Sequence, residues 1–172
     1  MSAVLNINDQ DVFKAVRTFL LSFLPTNTPV IQAQDNRVPM PKQGFVAMNN
    51  NGLERLSFNV DSYDSLSQGK FILTGTKYFV QLDFYGNLAQ EWATATVSLF
   101  RDEYATSIFP SNIQPLYADD PMQIPLIDAE AQYEQRWKLE ATLQYNPILS
   151  TSQQSAIALN IELAPIDQTF KP

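Results

Sequence analysis

Apolar side chains recur every three or four residues near the start of the chain, which is the spacing of one face of an α-helix. The segment DVFKAVRTFLLSFLP at residues 11–25 carries this pattern. Its apolar positions are Val12, Phe13, Val16, Phe19, Leu20, Phe23 and Leu24. Asn8 or Asp9 can cap the first turn and Pro25 ends the pattern, so the sequence predicts an amphipathic helix of about four turns.

A polar segment with several prolines, QAQDNRVPMPKQ at residues 32–43, separates this helix from the next apolar run. Pro39 and Pro41 push the residues before them into extended conformations. We therefore expect an elbow that leads into GFVAM, a short strand buried on both faces. Arg37, beside Asn36, either braces this turn or pairs with a carboxylate across a contact.

Turn residues and alternating apolar residues predict two further strands. NNNG at residues 49–52 predicts a hairpin turn, because Asn and Gly tolerate positive φ, and LSFNV at residues 56–60 predicts its second strand. Residues 61–69 have the composition of a loop. KFILTGTKYFVQLDFYG at residues 70–86 predicts a third long strand, with a bulge or bend at Gly75.

Asn87 and Gln90 have the spacing of a capping box, which predicts the start of a second helix in LAQEWATATVSLFRDEY at residues 88–104. Its apolar stripe, which indicates core positions rather than a ligand site, consists of Leu88, Trp92, Ala95, Leu99 and Phe100.

Strict alternation of apolar and polar residues over positions 133–145 predicts a strand that Pro147 ends. A last strand is predicted from the alternating positions Ile157, Leu159, Ile161 and Leu163. The sequence thus predicts an α+β fold in one domain, residues 1–172. Its mostly antiparallel or mixed sheet has about five to six strands, with two main helices packed on it.

The amino-acid composition excludes several kinds of catalytic and metal-binding site. The 172 residues are 45% hydrophobic and 17% charged, with no His and no Cys. The commonest general base, thiolate nucleophiles, disulfides and Cys-based metal sites are therefore absent. The low charge fraction fits either a surface covered by partners or a solvated surface rich in uncharged polar groups.

Charge and hydropathy further restrict the kinds of partner that the chain is expected to bind. The formal net charge is -7 and Lys and Arg form no run, so tight binding to nucleic acid phosphates is not expected. No window approaches the roughly 18 apolar residues that cross a bilayer, and the N-terminus lacks signal-peptide features. We expect a cytoplasmic protein with no membrane partner.

Asp119 and Asp120 precede Pro121, and paired carboxylates can run glycoside hydrolysis or bind Ca²⁺. Adjacent aspartates before a proline are more often surface turn residues, and no EF-hand loop surrounds them. The chain also has no glycine-rich phosphate-binding motif. The sequence therefore indicates no catalytic residues, no metal ligands and no cofactors.

Three collinear segments resemble the neck or tail terminator proteins of long-tailed bacteriophages and prophages. They are QDNRVPMPKQGFVAM at residues 34–48, LFRDEYATSIFP at residues 99–110 and PLYADDPMQIPLIDAEAQYEQRWKLEATLQYNP at residues 115–147. The most specific parts are NRVPMP, LFRDEYA, ADDPMQ, QYEQRW and LQYNP.

The resemblance implies a structural virion protein without catalytic residues. It implies a homo-oligomer, a hexameric ring at the head-proximal end of the tail tube, assembled in the host cytoplasm. The ring would end polymerisation of the tail tube protein and join the tail to a head-completion, stopper or adaptor protein. DNA would pass through the lumen without sequence-specific binding, and the excess of acidic residues suits such a channel.

A closed ring needs two different contact surfaces on each subunit. Loop 61–69 and the two chain ends, as extended arms at residues 1–8 and 165–172, are candidates because such segments can add strands to a neighbour's sheet. The candidate interface residues are Asn36, Arg37, Tyr63, Asp64, Gln68, Asp119 and Asp120.

Other readings of the sequence remain open. A tail tube or head-tail adaptor subunit is an alternative within the structural class. From a different class, the chain could be a carboxylate-based glycosidase or a small binding module that uses Trp92 and Trp137. Both tryptophans fall on apolar faces, which predicts that they lie in the core.

Overall fold

The computed structural model of the chain describes residues 3–33, 41–127 and 133–153. The helices are α1 (Asp9–Leu21), α2 (Ala89–Phe100) and α3 (Glu103–Ile108). The strands are β1 (Val4–Leu5), β2 (Val30–Gln32), β3 (Phe45–Arg55), β4 (Val60–Asp64), β5 (Gly69–Leu73), β6 (Thr76–Tyr85), β7 (Ile113–Ala118), β8 (Met122–Gln123), β9 (Leu126–Ile127), β10 (Tyr133–Glu134), β11 (Arg136–Tyr145) and β12 (Ile148–Ser152).

Six strands form the larger sheet. Its order is β2-β3-β6-β11-β7, and β8 pairs with β11 on the same side as β7. Every pairing in it is antiparallel except the parallel pair of β2 and β3. The predicted α+β fold with a mostly antiparallel, mixed sheet is confirmed.

The core lies between one face of this sheet and the helices. On β6, alternate side chains at Tyr78, Val80, Leu82 and Phe84 are fully buried. Neighbouring strands add Val46, Met48, Leu139, Ala141 and Leu143 to the same cluster. The helices contribute Val12, Val16, Phe19, Leu20, Ala93, Val97, Phe100 and Ala105. This alternation of buried and accessible positions is the period-2 pattern of a sheet covered on one face.

Helix α1 begins and packs as its sequence predicts. Asn8 accepts a hydrogen bond from the Asp11 amide at 3.2 Å, and Asp11 accepts one from the Asn8 amide at 3.0 Å. This reciprocal capping satisfies two backbone donors that a helix start leaves unpaired. The helix ends at Leu21, before Pro25, and its buried face carries the predicted positions from Val12 to Leu20, while Phe23 and Leu24 lie beyond its end.

The strand predicted at GFVAM is buried on both faces, since Phe45, Val46, Ala47 and Met48 are all buried. The hairpin predicted at residues 49–52 is wrong. Strand β3 continues through NNNG and stays paired with β6, with a shift of register between Asn50 and Gly52. Gly52 has φ +127°, and its amide donates to the Asn50 side chain at 2.8 Å. Asn and Gly form a β-bulge here, which needs the same backbone freedom as a turn.

The hairpin lies one strand later than predicted. Residues 61–69 are not a loop, because β4 and β5 pair from Val60 to Asp64 and turn through residues 65–68. Residues 70–86 are likewise two strands, β5 and β6, that belong to different sheets and separate at Thr74 and Gly75. The composition of residues 61–69 suggested a loop because β4 is exposed and carries polar side chains.

The second predicted helix differs at both ends. Leu88 occupies the N-cap position of α2 without a side-chain cap, so the capping box at Asn87 is wrong. The helix breaks at Arg101, and Asp102 caps the separate helix α3 by accepting from the Tyr104 amide at 2.9 Å. Its buried face consists of Ala89, Ala93, Thr96, Val97 and Phe100. Leu88 is exposed, and the other predicted stripe residues, Trp92, Ala95 and Leu99, are half-buried.

The alternation at residues 133–145 appears as β10 and β11, whose odd positions from Leu139 onward are buried. Strand β12 follows at once after Pro147. The strand predicted from Ile157 to Leu163 lies outside the described residues.

Four strands, β1, β12, β5 and β4, form a second sheet that we call the arm. It continues three strands of the larger sheet, because β4 follows β3, β5 precedes β6 and β12 follows β11 along the chain. The three strands pass from one sheet to the other at residues 56–59, 74–75 and 146–147, which we call the joint. There the Leu56 amide donates to the Gly75 carbonyl at 2.9 Å, and the Thr74 amide donates to the Pro147 carbonyl at 3.2 Å.

Candidate interaction surfaces

The described residues contain no cluster of metal-ligating side chains, since within them no group of three or more His, Cys, Asp or Glu could hold a metal ion. Among the same residues, no helix combines the length and apolar character needed to span a bilayer. The candidate sites are surfaces suited to protein partners.

The arm has no core of its own. Every residue of its four strands is half-buried or exposed. The strand register places five apolar side chains on one of its faces, namely Val4, Val60, Phe71, Leu73 and Ile148. A sheet normally covers at least one apolar face with a second layer. In the described part of the chain no second layer covers the arm, so its apolar face is a candidate contact surface.

The tip of the arm, residues 64–68, is a tightly braced turn. The Asp64 carboxylate accepts from the Leu66 amide at 3.0 Å and from the Ser67 hydroxyl at 2.6 Å. These hydrogen bonds, with that of Ser67 first, lower the pKa of Asp64. Gln68 has φ +50°, and its carbonyl accepts from the Gln153 amide at 2.9 Å. This bracing holds Leu66 in solvent, with 95% of its surface exposed.

A second exposed apolar side chain lies at the joint. Phe58 is 91% exposed on a turn in which Arg55 donates to the Ser57 carbonyl at 3.0 Å and also to the Asn59 side chain. The Thr74 hydroxyl donates to the same Asn59 oxygen at 2.9 Å. Because the turn holds its ring in solvent next to the arm, Phe58 is also a candidate contact residue.

A groove with a different chemistry lies between α1 and β2. Its volume is about 280 Å³. Its lining includes the apolar Phe13, Val30, Ile31 and Met48 and the cationic Lys14 and Arg17. Gln10 and Gln32 also line it, and Gln10 donates to Gln32 at 3.3 Å. Phe13, Val30 and Met48 are buried, so Ile31 is its most accessible apolar side chain, and Lys14 and Arg17 are exposed on the α1 side. We call this surface the groove.

The predicted interface residues fall in three places. Tyr63, Asp64 and Gln68 lie on β4 and at the tip of the arm, where Tyr63 is 42% exposed. Asp119 and Asp120 follow β7, in the larger sheet. The structure therefore places these two sets on separate sheets. Asn36 and Arg37 lie outside the described residues.

Asp119 and Asp120 belong to a corner that fastens the end of β7. Arg101 donates to the Ala118 carbonyl at 3.0 and 2.6 Å and to Asp120 at 2.9 Å, and its guanidinium lies 5.1 Å from the centre of the Tyr117 ring. The Asp119 amide donates to the Glu140 carbonyl at 2.9 Å. This geometry ties the corner to the end of α2 through Arg101.

A polar cluster on the face of the larger sheet opposite the helices was missed by sequence reasoning. Arg136 donates to one Asp83 oxygen at 3.1 and 3.0 Å, and Gln81 donates to the other oxygen at 2.7 Å. The Arg136 guanidinium also lies 5.7 Å from the centre of the Tyr85 ring, which stacks on Phe45. Asp83 is only 5% exposed. The available signal was an Asp and an Arg on two long strands, but their pairing depends on a register that sequence alone does not give.

Comparisons with known proteins identify the class of this chain. Among solved structures, it is similar to the sheath/tube terminator in the extended state from an extracellular contractile injection system (PVC). The TM-score is 0.53 and the sequence identity 13%, which indicates a shared fold. The alignment covers 95% of this chain but 64% of the other, so the chain spans less than two-thirds of that relative's length.

A search of curated proteins finds no significant match. The family described as phage neck terminator protein matches residues 10–171. Because that match extends over nearly the whole sequence, the chain belongs to the phage neck terminator protein family.

Proposed function

We propose that copies of this chain close into a hexameric ring on the head-proximal end of a phage tail tube. The ring stops addition of tail tube protein and presents its other side to a head-completion, stopper or adaptor protein. Its site of action is the neck of the virion, and it assembles in the host cytoplasm.

Family membership carries the proposal. It makes the chain a structural component of the phage tail with a tail-terminating role. The arm supports the further step to a ring, because an apolar face without its own covering layer is suited to contact with another protein. A ring that closes by head-to-tail contacts needs two unlike surfaces on one chain, and the arm and the groove differ in shape and chemistry.

The net charge supports passage of DNA without binding. With a formal charge of -7 per chain, a ring of several copies repels phosphates more than it attracts them. Catalysis has no part in this function. The lack of His and Cys in the sequence leaves few groups for acid-base or nucleophilic chemistry.

Negative-stain electron microscopy tests the proposal. The chain is imaged alone and mixed at increasing ratios with the tail tube protein from the same genome, and the tube protein alone is the control for tube length. We expect single rings or tubes capped at one end, with mean tube length falling as the ratio rises. Long cylinders of the chain alone would identify a tube subunit instead, and unchanged tube lengths with no end-bound density would contradict termination.

A further inference from the structure

We infer that the tip of the arm of one copy docks into the groove of the next copy around the ring. This inference rests on the proposed function, because it assigns the two unlike surfaces that a head-to-tail ring requires. It names a second copy of this chain as the occupant of both surfaces.

The first argument is the state of the arm in a single copy. Leu66 is held outward by the bonds to Asp64 and by the left-handed conformation of Gln68, so its exposure is built into the turn. Holding an apolar side chain in one exposed conformation lowers the entropy that is lost on binding. The tip is thus preorganised to enter an apolar site.

The second argument is area. Three strands of five residues and one of two residues, about 4.8 Å apart, give each face of the arm roughly 250 to 300 Å². One face lying on the neighbour therefore provides about a third of the roughly 800 Å² that each partner contributes to a standard protein interface, and the bound tip adds to it.

The third argument is charge. Asp64 lies two residues from Leu66, and its carboxylate is ionised at neutral pH. The groove carries Lys14 and Arg17 beside its apolar side chains. When Leu66 lies on the accessible apolar surface of the groove at Ile31, the adjacent carboxylate meets cations of opposite sign. Such complementarity fixes the register and orientation of a contact more than its strength.

Engineered cysteines test the contact directly, since the chain has no Cys of its own. Leu66→Cys and Gln10→Cys are combined in one chain, because Gln10 lies on α1 at the groove. A short bifunctional thiol cross-linker is applied to the protein alone and to capped tubes. Head-to-tail docking predicts a ladder of covalent oligomers that ends at the size of the ring.

The controls separate docking from chance collision. Leu66→Cys alone and Gln10→Cys alone should give no ladder, because each then lacks the second thiol. Leu66→Cys combined with Ser98→Cys is the matched double variant, because Ser98 is exposed on α2 away from the groove. A ladder of equal intensity in that control would overturn the inference.

The outcomes also distinguish this inference from the proposed function. Capped tubes without a ladder would overturn the docking and leave termination standing. A ladder without capped tubes would support the docking and contradict termination. Cross-links from the thiol of the Leu66→Cys variant to the tube protein would show that the tip binds the tube, and would overturn the inference. A ladder that appears only after deletion of residues 154–172 would mean that this segment occupies the groove, and would overturn it as well.

Substitutions at the tip and in the groove, including an exchange of charges between them, give an independent test through their effect on ring assembly. Leu66→Asp should weaken ring assembly about tenfold or more, as expected when a large apolar contact is lost. Arg17→Asp should weaken it by up to about fivefold, in line with an exposed ion pair. Asp64→Lys should weaken it more, because it also removes the two hydrogen bonds that brace the tip. The double variant Asp64→Lys with Arg17→Asp should recover part of that loss. Losses that simply add in the double variant would argue against a direct contact of these two side chains.

Discussion

At the scale of single residues, the tyrosine at the centre of the core is the most unusual group. Tyr78 is fully buried, and its hydroxyl makes no hydrogen bond of good geometry among the described residues, although the Asp9 carboxylate lies near enough to raise its pKa. A buried hydroxyl without a partner loses its bonds to water without replacement. Its ring, by contrast, makes edge contacts with Phe13 and Tyr145.

We predict that Tyr78→Phe stabilises the fold by up to about 1 kcal/mol, because it removes an unsatisfied polar group and keeps the ring. Thermal unfolding at pH 7 measures the effect. Tyr145→Phe is a suitable comparison. A loss of more than about 1 kcal/mol in Tyr78→Phe would mean that the hydroxyl makes a favourable contact.

The same side chain should make the fold sensitive to alkali. Burial raises the pKa of Tyr78 above its usual 10.0, and the Asp9 carboxylate raises it further. Burial also raises the pKa values of Tyr85 and Tyr145. Above pH 10 the unfolded chain releases these protons and the folded chain keeps them, so stability is complete below pH 10 and falls as pH rises. Melting temperatures between pH 8 and 11 should fall less steeply in Tyr78→Phe than in the natural sequence.

Arg136 and Asp83 give a second prediction at this scale. Arg136→Gln leaves a nearly buried carboxylate without its cation, and should destabilise the fold by about 1 to 3 kcal/mol. Glu54→Gln is the matched control, because it breaks the exposed Lys77–Glu54 pair at 3.3 Å and should change stability by less than about 1 kcal/mol. Urea denaturation measures both. Equal losses of stability in the two variants would mean that the buried pair contributes no more than an exposed one.

At the scale of elements, the connection between β6 and α2 requires a glycine at position 86. Gly86 has φ +103°, and a side chain there would come within 2.8 Å of the Gly44 backbone. The Gly86 amide also donates to the Gln135 carbonyl at 3.2 Å, so the position joins three segments. A residue with a β-carbon meets both backbone strain and a collision with main-chain atoms.

We predict that Gly86→Ala destabilises the fold by about 2 to 4 kcal/mol. Gly52→Ala is the matched control, because Gly52 also has positive φ but an added β-carbon there meets nothing within 4 Å. Its cost should be about 1 to 2 kcal/mol, from backbone strain alone. Chemical denaturation of both variants gives the difference, and equal losses would mean that the approach to Gly44 relaxes easily.

Elements with strong local signals were predictable from the sequence. Helix α1 carries its cap, its apolar face and its stop within one segment, and β11 carries strict alternation. The hairpin was misplaced because NNNG suits a bulge as well as a turn, and only long-range pairing with β6 distinguishes the two. The predicted roles of Asn36 and Arg37 in the elbow stay predictions, because both residues lie outside the described part of the chain.

The candidate site was predictable in part for the same reason. Tyr63, Asp64 and Gln68 were chosen as residues of a predicted loop, whereas they lie on β4 and in the turn of a hairpin. Their role in an interface stays a prediction. The groove was not foreseen, because Lys14 and Arg17 on α1 and Val30 on β2 become neighbours only when the strand lies beside the helix. Spacing within one element cannot reveal a surface that two elements share.

At the scale of the whole molecule, the two sheets should differ in local stability. Among the described residues, the larger sheet has a buried layer and the arm has none, so within that part of the chain the arm is held mainly by its own ladder of hydrogen bonds and by the joint. Segments with few buried apolar contacts open locally more often than the core does. The free chain should therefore contain a stable body and a more easily opened arm.

We predict that amide hydrogens of β4 and β5 exchange faster than those of β6 and β11 in a single copy, and that ring assembly slows exchange in the arm. Hydrogen exchange with mass spectrometry compares the free and assembled protein. The central strands of the larger sheet are the internal reference. Equal protection of arm and core in the free chain, with no change on assembly, would contradict a role for the arm in contacts.

The joint has a consequence for geometry. Three strands cross it, and among the described residues its segments are exposed or half-buried except at Gly75 and are joined by a few hydrogen bonds. In the proposed ring, bending at residues 56–59, 74–75 and 146–147 would change the angle between neighbouring subunits and therefore the curvature. Such a ring would match its circumference to the tube on one side and to the neck on the other.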